Sequence, residues 1–183
     1  GFTTLRDAGG GDAGLAQALD EGLIEGPRLF YARRALSQTG GHGYLRDPRL
    51  VDPPVCACRA LGDSLAVVVD GEDAVRRAVR EELRLGASHI KIMASGGVFS
   101  PGGSVDACQF SMTEIGAVVD EAARAGKYVL AHCHSAAAIR RCVRSVIDHA
   151  ASSRLARALT STKMRSWPRR ATMSISPAEQ RQR

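Results

Sequence analysis

The stretch Ala87-Ser88-His89-Ile90-Lys91-Ile92-Met93-Ala94-Ser95-Gly96-Gly97 most constrains what this chain can fold into. Alternating isoleucines give the period of two of a β-strand, and the strand runs into a glycine loop. Ile90 and Ile92 then face one side, and His89, Lys91 and Met93 face the other. If helices cover the isoleucine side, the Lys91 ammonium points to the opposite face of the sheet. There it must snorkel to water, be held, or be chemically changed.

Composition limits the alternatives. Of 183 residues, 44% are hydrophobic and 24% charged, which suits an ordinary globular domain with a real core. No apolar run approaches the length of a membrane span. Five scattered cysteines, Cys56, Cys58, Cys108, Cys133 and Cys142, lack the usual metal or redox spacing, so reduced thiols in a cytoplasm are expected. The formal charge of +6 is unevenly placed. Residues 1–150 carry 17 basic against 18 acidic side chains, and residues 151–183 carry 8 against 1. The expected organisation is a near-neutral body over 1–150 and a basic irregular tail over 151–183. Gly1-Phe2-Thr3-Thr4 already reads as strand, so a fragment is expected.

Along the body, strands and helices alternate. Phe2–Arg6 is strand-like, with Asp7 at its end before a glycine loop. A helix follows from Asp12 to Glu21, with Leu15 and Leu19 on one face. Arg28–Ala32 reads as a second strand, and Ser37–Pro54 as a long loop. Asp70–Gly86 is the clearest helix, with Val75, Val79 and Leu83 as its stripe and Asp70 or Asp73 near its start. Ser111-Met112-Thr113-Glu114 is a capping-box pattern that opens a helix with Ile115, Val118, Val119 and Ala122 inward. Tyr128–His132 is the next strand. A short helix over Ala136–Val143 and a last strand over Ser145–His149 complete the pattern. Such alternation predicts an α/β fold with a parallel sheet, whose chemistry sits at the carboxyl ends of the strands.

Asp7, Lys91, His132 and His149 all fall at or near such ends, and Gly40-Gly41-His42-Gly43 follows another strand. Neutral imidazole suits zinc and its neighbours. A neutral lysine amine can take up carbon dioxide to form a carbamate, an anion able to bridge two divalent ions. His89 reads as a packed or hydrogen-bonded residue. His134 is open to a supporting, substrate-facing or solvated role.

Several runs together resemble the metal-dependent amidohydrolase superfamily, in its imidazolonepropionase-like branch that includes Xaa-Pro dipeptidase-type enzymes. These are Gly1–Asp7, Ser37-Gln38-Thr39-Gly40-Gly41-His42-Gly43, Ile90–Gly97, Tyr128–His132 and Ile147-Asp148-His149. The resemblance covers about residues 1–150. It implies a partial (β/α)8 TIM barrel holding about strands 2 to 6. It implies two divalent ions, zinc being the first choice, bridged by a carbamate on Lys91. It also implies His132 and His149 as ligands from the fifth and sixth strands. His42 would face the substrate, and His134, where relatives often carry tyrosine, would line the same place. The partner implied is a small-molecule amide or peptide.

The sequence departs from that pattern in three ways. It holds no His-x-His pair before Gly1, the interval from His132 to His149 is short, and no aspartate beyond Asp148 can serve as general base. No catalytic residue is therefore assigned, and little or no hydrolysis by this chain alone is expected. A frameshifted tail is one explanation, since Thr160-Ser161-Thr162-Lys163-Met164 can be encoded so that another frame reads Ile-Asp-Glu-Asp. The alternative functions are a non-catalytic remnant with open sheet edges, or weak nucleic-acid binding through the tail, where Trp167 is the sole aromatic.

Overall fold

A computed structural model describes residues 1–45, 65–100 and 103–152, with side chains to His149. Within these, Gly1–His149 form one compact unit. The expected features over residues 46–64 and in the tail, including the frameshift segment, lie outside the described residues. In chain order the elements are β1 (Thr4–Asp7), α1 (Ala13–Asp20), β2 (Arg28–Tyr31), β3 (Ala35–Ser37), β4 (Ala66–Val68), α2 (Glu72–Arg84), β5 (Ile90–Met93), α3 (Met112–Arg124), β6 (Val129–His132) and α4 (Ala136–Ser152). All recorded strand pairs are parallel: β1 with β2, and a four-stranded sheet in the order β4-β3-β5-β6. The expected α/β fold with parallel sheets is therefore formed.

Register decides which side chains meet. Ile90 lies beside Val129, Lys91 beside Leu130, Ile92 beside Ala131, and Met93 beside His132. Partners in a parallel ladder share a face, so Ile90, Ile92, Val129 and Ala131 point one way. They pack with Leu36, Val75, Val79, Ile115, Val118 and Ala122 into one hydrophobic core. Lys91 and His132 share the other face. The alternation of β5 thus sorts core from chemistry, as its sequence predicts.

The helices that cover the core follow their sequence signals. Val75 and Val79 of α2 are fully buried, and Gly86 ends the helix at a positive φ of 94°. Asp70 does not cap α2. Its carboxylate accepts from Thr39 N at 3.0 Å and Thr39 Oγ1 at 2.6 Å, while Gly71 is the N-cap residue without a side-chain bond. Asp73 does lie in the first turn. The capping box of α3 is complete: Ser111 Oγ accepts from Glu114 N, and the Glu114 carboxylate accepts from Ser111 N. Arg76 of α2 bonds Asp120 at 2.7 Å and Glu121 at 3.0 Å, and Arg80 bonds Glu121 at 2.7 Å, which clamps α2 to α3.

Two strands, β3 and β4, go beyond the expectations, and two expectations need correction. The segment from Arg28 to Ser37 forms two strands, separated by Arg33 at a φ of 61°. β4 is a further strand hidden in a short valine run. On α1, Ala16 rather than Leu15 is buried; Leu15 is 45% exposed, because α1 packs on β2 of the narrow two-stranded sheet. The strand expected over Ser145–His149 does not form. α4 instead continues unbroken from Ala136 to Ser152, and Val143, Val146 and Ile147 are each more than half exposed. No buried sheet position draws these β-branched residues out of the helix, and their helix penalty is only a few tenths of a kcal/mol.

The break between β2 and β3 is held from α2. Glu82 is 1% exposed and receives Arg33 Nε at 3.0 Å and Arg34 Nη2 at 2.7 Å. Both guanidiniums reach water at their outer edge, so removing the carboxylate leaves them hydrated rather than stranded. Glu82→Gln is expected to lower unfolding free energy by about 2–3 kcal/mol. Urea denaturation of the 183-residue chain measures this, with Glu81→Gln, an exposed pair with Arg84, changing stability by less than about 1 kcal/mol.

Candidate active site

The site lies where β3, β5 and β6 end. Lys91 is 8% exposed on the face opposite the core. Burial holds its ammonium below the usual lysine range, and no carboxylate among the described residues forms an ion pair with it. Desolvation biases such a lysine toward the neutral amine, while the neighbouring Cys133 pulls more weakly the other way.

His132, the last residue of β6, sits at the centre of three imidazoles. The His42 ring stacks on it with centroids 4.5 Å apart and planes at 28°. The His134 ring meets it edge-on, also at 4.5 Å. His132 Nε2 is buried without a hydrogen-bond partner. Burial first, then the neighbouring His42, Lys91 and His134, push its pKa down to about 4. His42 is lowered too, by burial and then by His134 and Lys91. His132 is therefore neutral at physiological pH and His42 is biased the same way, the state in which imidazole accepts a cation.

A shell of buried polar groups, which sequence reasoning missed, places these rings. Ser37 Oγ donates to the His42 carbonyl at 2.6 Å, and the His42 N–H donates to Gln109 Oε1 at 3.0 Å. Ser95 Oγ accepts from the His134 N–H at 2.9 Å. Ser100 Oγ lies 2.9 Å from His42 Nδ1 and accepts from the Gly43 N–H at 3.0 Å. A Cβ at Gly97 would land on the His42 ring, so only glycine leaves that ring its seat. The Gly-Gly pair after β5 was the one signal in the sequence for this close approach.

Other candidates lie elsewhere. The Asp7 carboxylate is used locally, accepting from Gly9 N at 3.1 Å and Gly11 N at 2.8 Å. His89 is fully buried, stacks on Tyr128 at 5.0 Å, and is pushed by burial to a pKa of about 4. His149 is on α4 rather than at a strand end, with Nδ1 4.0 Å from Asp120 Oδ1. Among the described residues, no group of three or more His, Cys, Asp or Glu side chains is arranged to hold a metal ion. What does fit a cation is narrower: the orphaned Nε2 of His132 and the uncompensated amine of Lys91.

Residues 1–164 match the amidohydrolase family. The chain belongs to that family. It is 36% identical over 162 residues to ochratoxinase from Aspergillus niger, covering 79% of this chain and 32% of that protein. A crystal structure of a prolidase complexed with N-methylphosphonate-L-proline is 52% identical, with a TM-score of 0.73, over 79% of this chain and 35% of that one. A Xaa-Pro dipeptidase with methionine bound in its active site is 35% identical, with a TM-score of 0.65, over 79% and 35% respectively. The chain thus spans about a third of the length of these amidohydrolases. Members of the family have a TIM-barrel fold, and the parallel strands described here are part of one.

The two most strongly depressed histidines set a pH dependence. His89 and His132 bind protons less readily folded, at about 4, than unfolded, at about 6.5. Between those values the unfolded state holds more protons, so stability is full above about pH 6.5 and falls as pH drops toward 4. Urea midpoints of the metal-free chain at three pH values across that window check this, and His89→Phe is expected to flatten the slope.

Proposed function

We propose that this amidohydrolase-family chain carries part of the active site of a metal-dependent hydrolase of C–N bonds. Its substrates would be Xaa-Pro dipeptides or other N-acyl amino acids. The carrying observation is the juxtaposition of a buried lysine that no carboxylate among the described residues pairs with and a buried imidazole nitrogen that lacks a hydrogen-bond partner among them. Family membership and similarity to a prolidase, a Xaa-Pro dipeptidase and an ochratoxinase support the same class.

The chain's own residues divide the work. In its neutral form, which burial favours, the Lys91 amine would attack carbon dioxide, an N–C bond forming and the amine proton leaving to water. The carbamate that results is an oxygen donor, and with His132 Nε2 it would hold a divalent cation, zinc being the first choice. Such a cation supplies Lewis acidity toward a carbonyl and a hydroxide at neutral pH. His42 and His134 flank His132 and would meet the substrate's oxygen atoms. His149, set against Asp120, is left out of this donor set. A cytoplasmic setting is proposed from the scattered cysteine spacing of the sequence. Nucleic-acid binding rests on tail residues outside the described ones. No described helix is long and apolar enough to cross a membrane.

Zinc uptake by the 183-residue chain in bicarbonate buffer tests the reading. Lys91→Met and His132→Ala should each weaken uptake at least tenfold, and mass spectrometry under non-denaturing conditions should show one added carbon dioxide that Lys91→Met lacks. Any turnover of an Xaa-Pro panel should disappear with both variants. Unchanged uptake in both would remove the proposed donor set.

A further inference from the structure

We propose that the Ser100 hydroxyl fixes His42 in its Nε2–H tautomer, which makes His42 a hydrogen-bond donor to a substrate oxygen rather than a metal ligand. The substrate role rests on the reading above; the tautomer rests on geometry alone. Ser100 Oγ has two recorded polar neighbours, the Gly43 N–H at 3.0 Å and His42 Nδ1 at 2.9 Å. A backbone amide can only donate, so Oγ accepts there. Its own proton then has one protein acceptor among the described residues, and that is Nδ1. The opposite tautomer would aim two N–H groups at Oγ and leave the hydroxyl proton without a protein acceptor. Once Nδ1 accepts, the ring proton of neutral His42 is on Nε2. A protonated nitrogen has no lone pair for a cation, whereas it suits a carbonyl or carboxylate oxygen.

Several groups keep the ring from escaping this arrangement. Its backbone N–H and carbonyl are held by Gln109 and Ser37. Gly97 lies close against the imidazole, and the His132 ring stacks on it. Ser100 is thus a positioning residue, acting through His42, and it marks the loop after β5 as the element that assigns the role of a residue after β3. Nδ1, the nitrogen facing Ser100, is unavailable to metal, while the orphaned Nε2 of His132 remains available. Two stacked imidazoles therefore divide the tasks of donor and ligand.

The test is long-range proton–nitrogen correlation NMR on the metal-free 183-residue chain labelled at histidine nitrogen, with His42→Asn identifying the signal. His42 Nδ1 should resonate as an unprotonated, hydrogen-bonded nitrogen and Nε2 as a protonated one. Ser100→Ala should move both toward the averaged position of mixed tautomers, and Ser100→Thr should restore the wild-type pattern. If Ser100→Ala does not fold, Ser100→Cys, a weaker donor of similar size, should give a partial shift. Added zinc should shift His132 and leave the His42 tautomer unchanged. A protonated Nδ1 in the wild type, or an unchanged pattern in a folded Ser100→Ala, would overturn the proposal. So would zinc shifting His42 as it shifts His132. A His132 signal indifferent to zinc counts against the metal reading while leaving the tautomer assignment standing.

Discussion

The pairing of β5 with β6 is the constraint from which the rest of the molecule follows. Two adjacent parallel strands in fixed register present two rows of side chains with opposite fates. Ile90, Ile92, Val129 and Ala131 enter the core beneath α2 and α3. Each large aliphatic side chain fully buried there contributes about 1.5–3 kcal/mol. Lys91 and His132 are carried to the other face by the same alternation. A slip of one residue would turn the isoleucines out and the lysine into hydrocarbon, so hydrophobic burial enforces the register that brings amine and imidazole to one side. The chemistry of the site depends on a core that never touches it.

Register alone would leave the rings free to turn, and the loops after the strands prevent that. Ser37, Ser95 and Gln109 are all nearly inaccessible, and each spends its polar atoms on the backbone of a histidine or its neighbour. Leaving such a buried group unpaired costs about 1–3 kcal/mol, so each bond resists disorder of the loop it joins. His42 is held by three different elements: β3 through Ser37, the loop after β5 through Ser100, and the approach to α3 through Gln109. Its stacking on His132 is a consequence of that frame.

Much of this was legible in the sequence where one local signal acted alone. The β5 alternation, the α3 capping box and the Val75–Val79 stripe of α2 each specify an element without help from distant residues. Errors arose where two signals competed. Ser145-Val146-Ile147 has strand-like composition and fits the resemblance of Ile147-Asp148-His149 to a strand end, yet the open edge of β6 stays unpaired by it among the described residues. Helix continuity from Ala136 therefore prevails, and His149 moves to Asp120 instead of joining His132. The break at Arg33 was invisible because Glu82, the group that stabilises it, lies 49 residues away. Lys91, His132, His42 and His134 were singled out from strand-end position and resemblance. Ser100 and Gln109 were not, since a serine or glutamine in a loop has no pattern until the backbone it contacts is known.

The cost of burying these bases bears on the role proposed for the site. Lys91 and His132 are bases removed from water, both of the same latent sign, with no carboxylate among the described residues set against either. A structural role would be better served by the solution used at Glu82, where two guanidiniums answer one buried carboxylate, or at Glu121, which Arg76 and Arg80 enclose. The same chain therefore compensates buried charge carefully in its helical layer and leaves basicity uncompensated at its strand ends. Packing gives no reason for that difference. A positive partner, as proposed above, would give one: burial biases the Lys91 amine and the His132 imidazole toward their neutral forms, the forms that a cation requires.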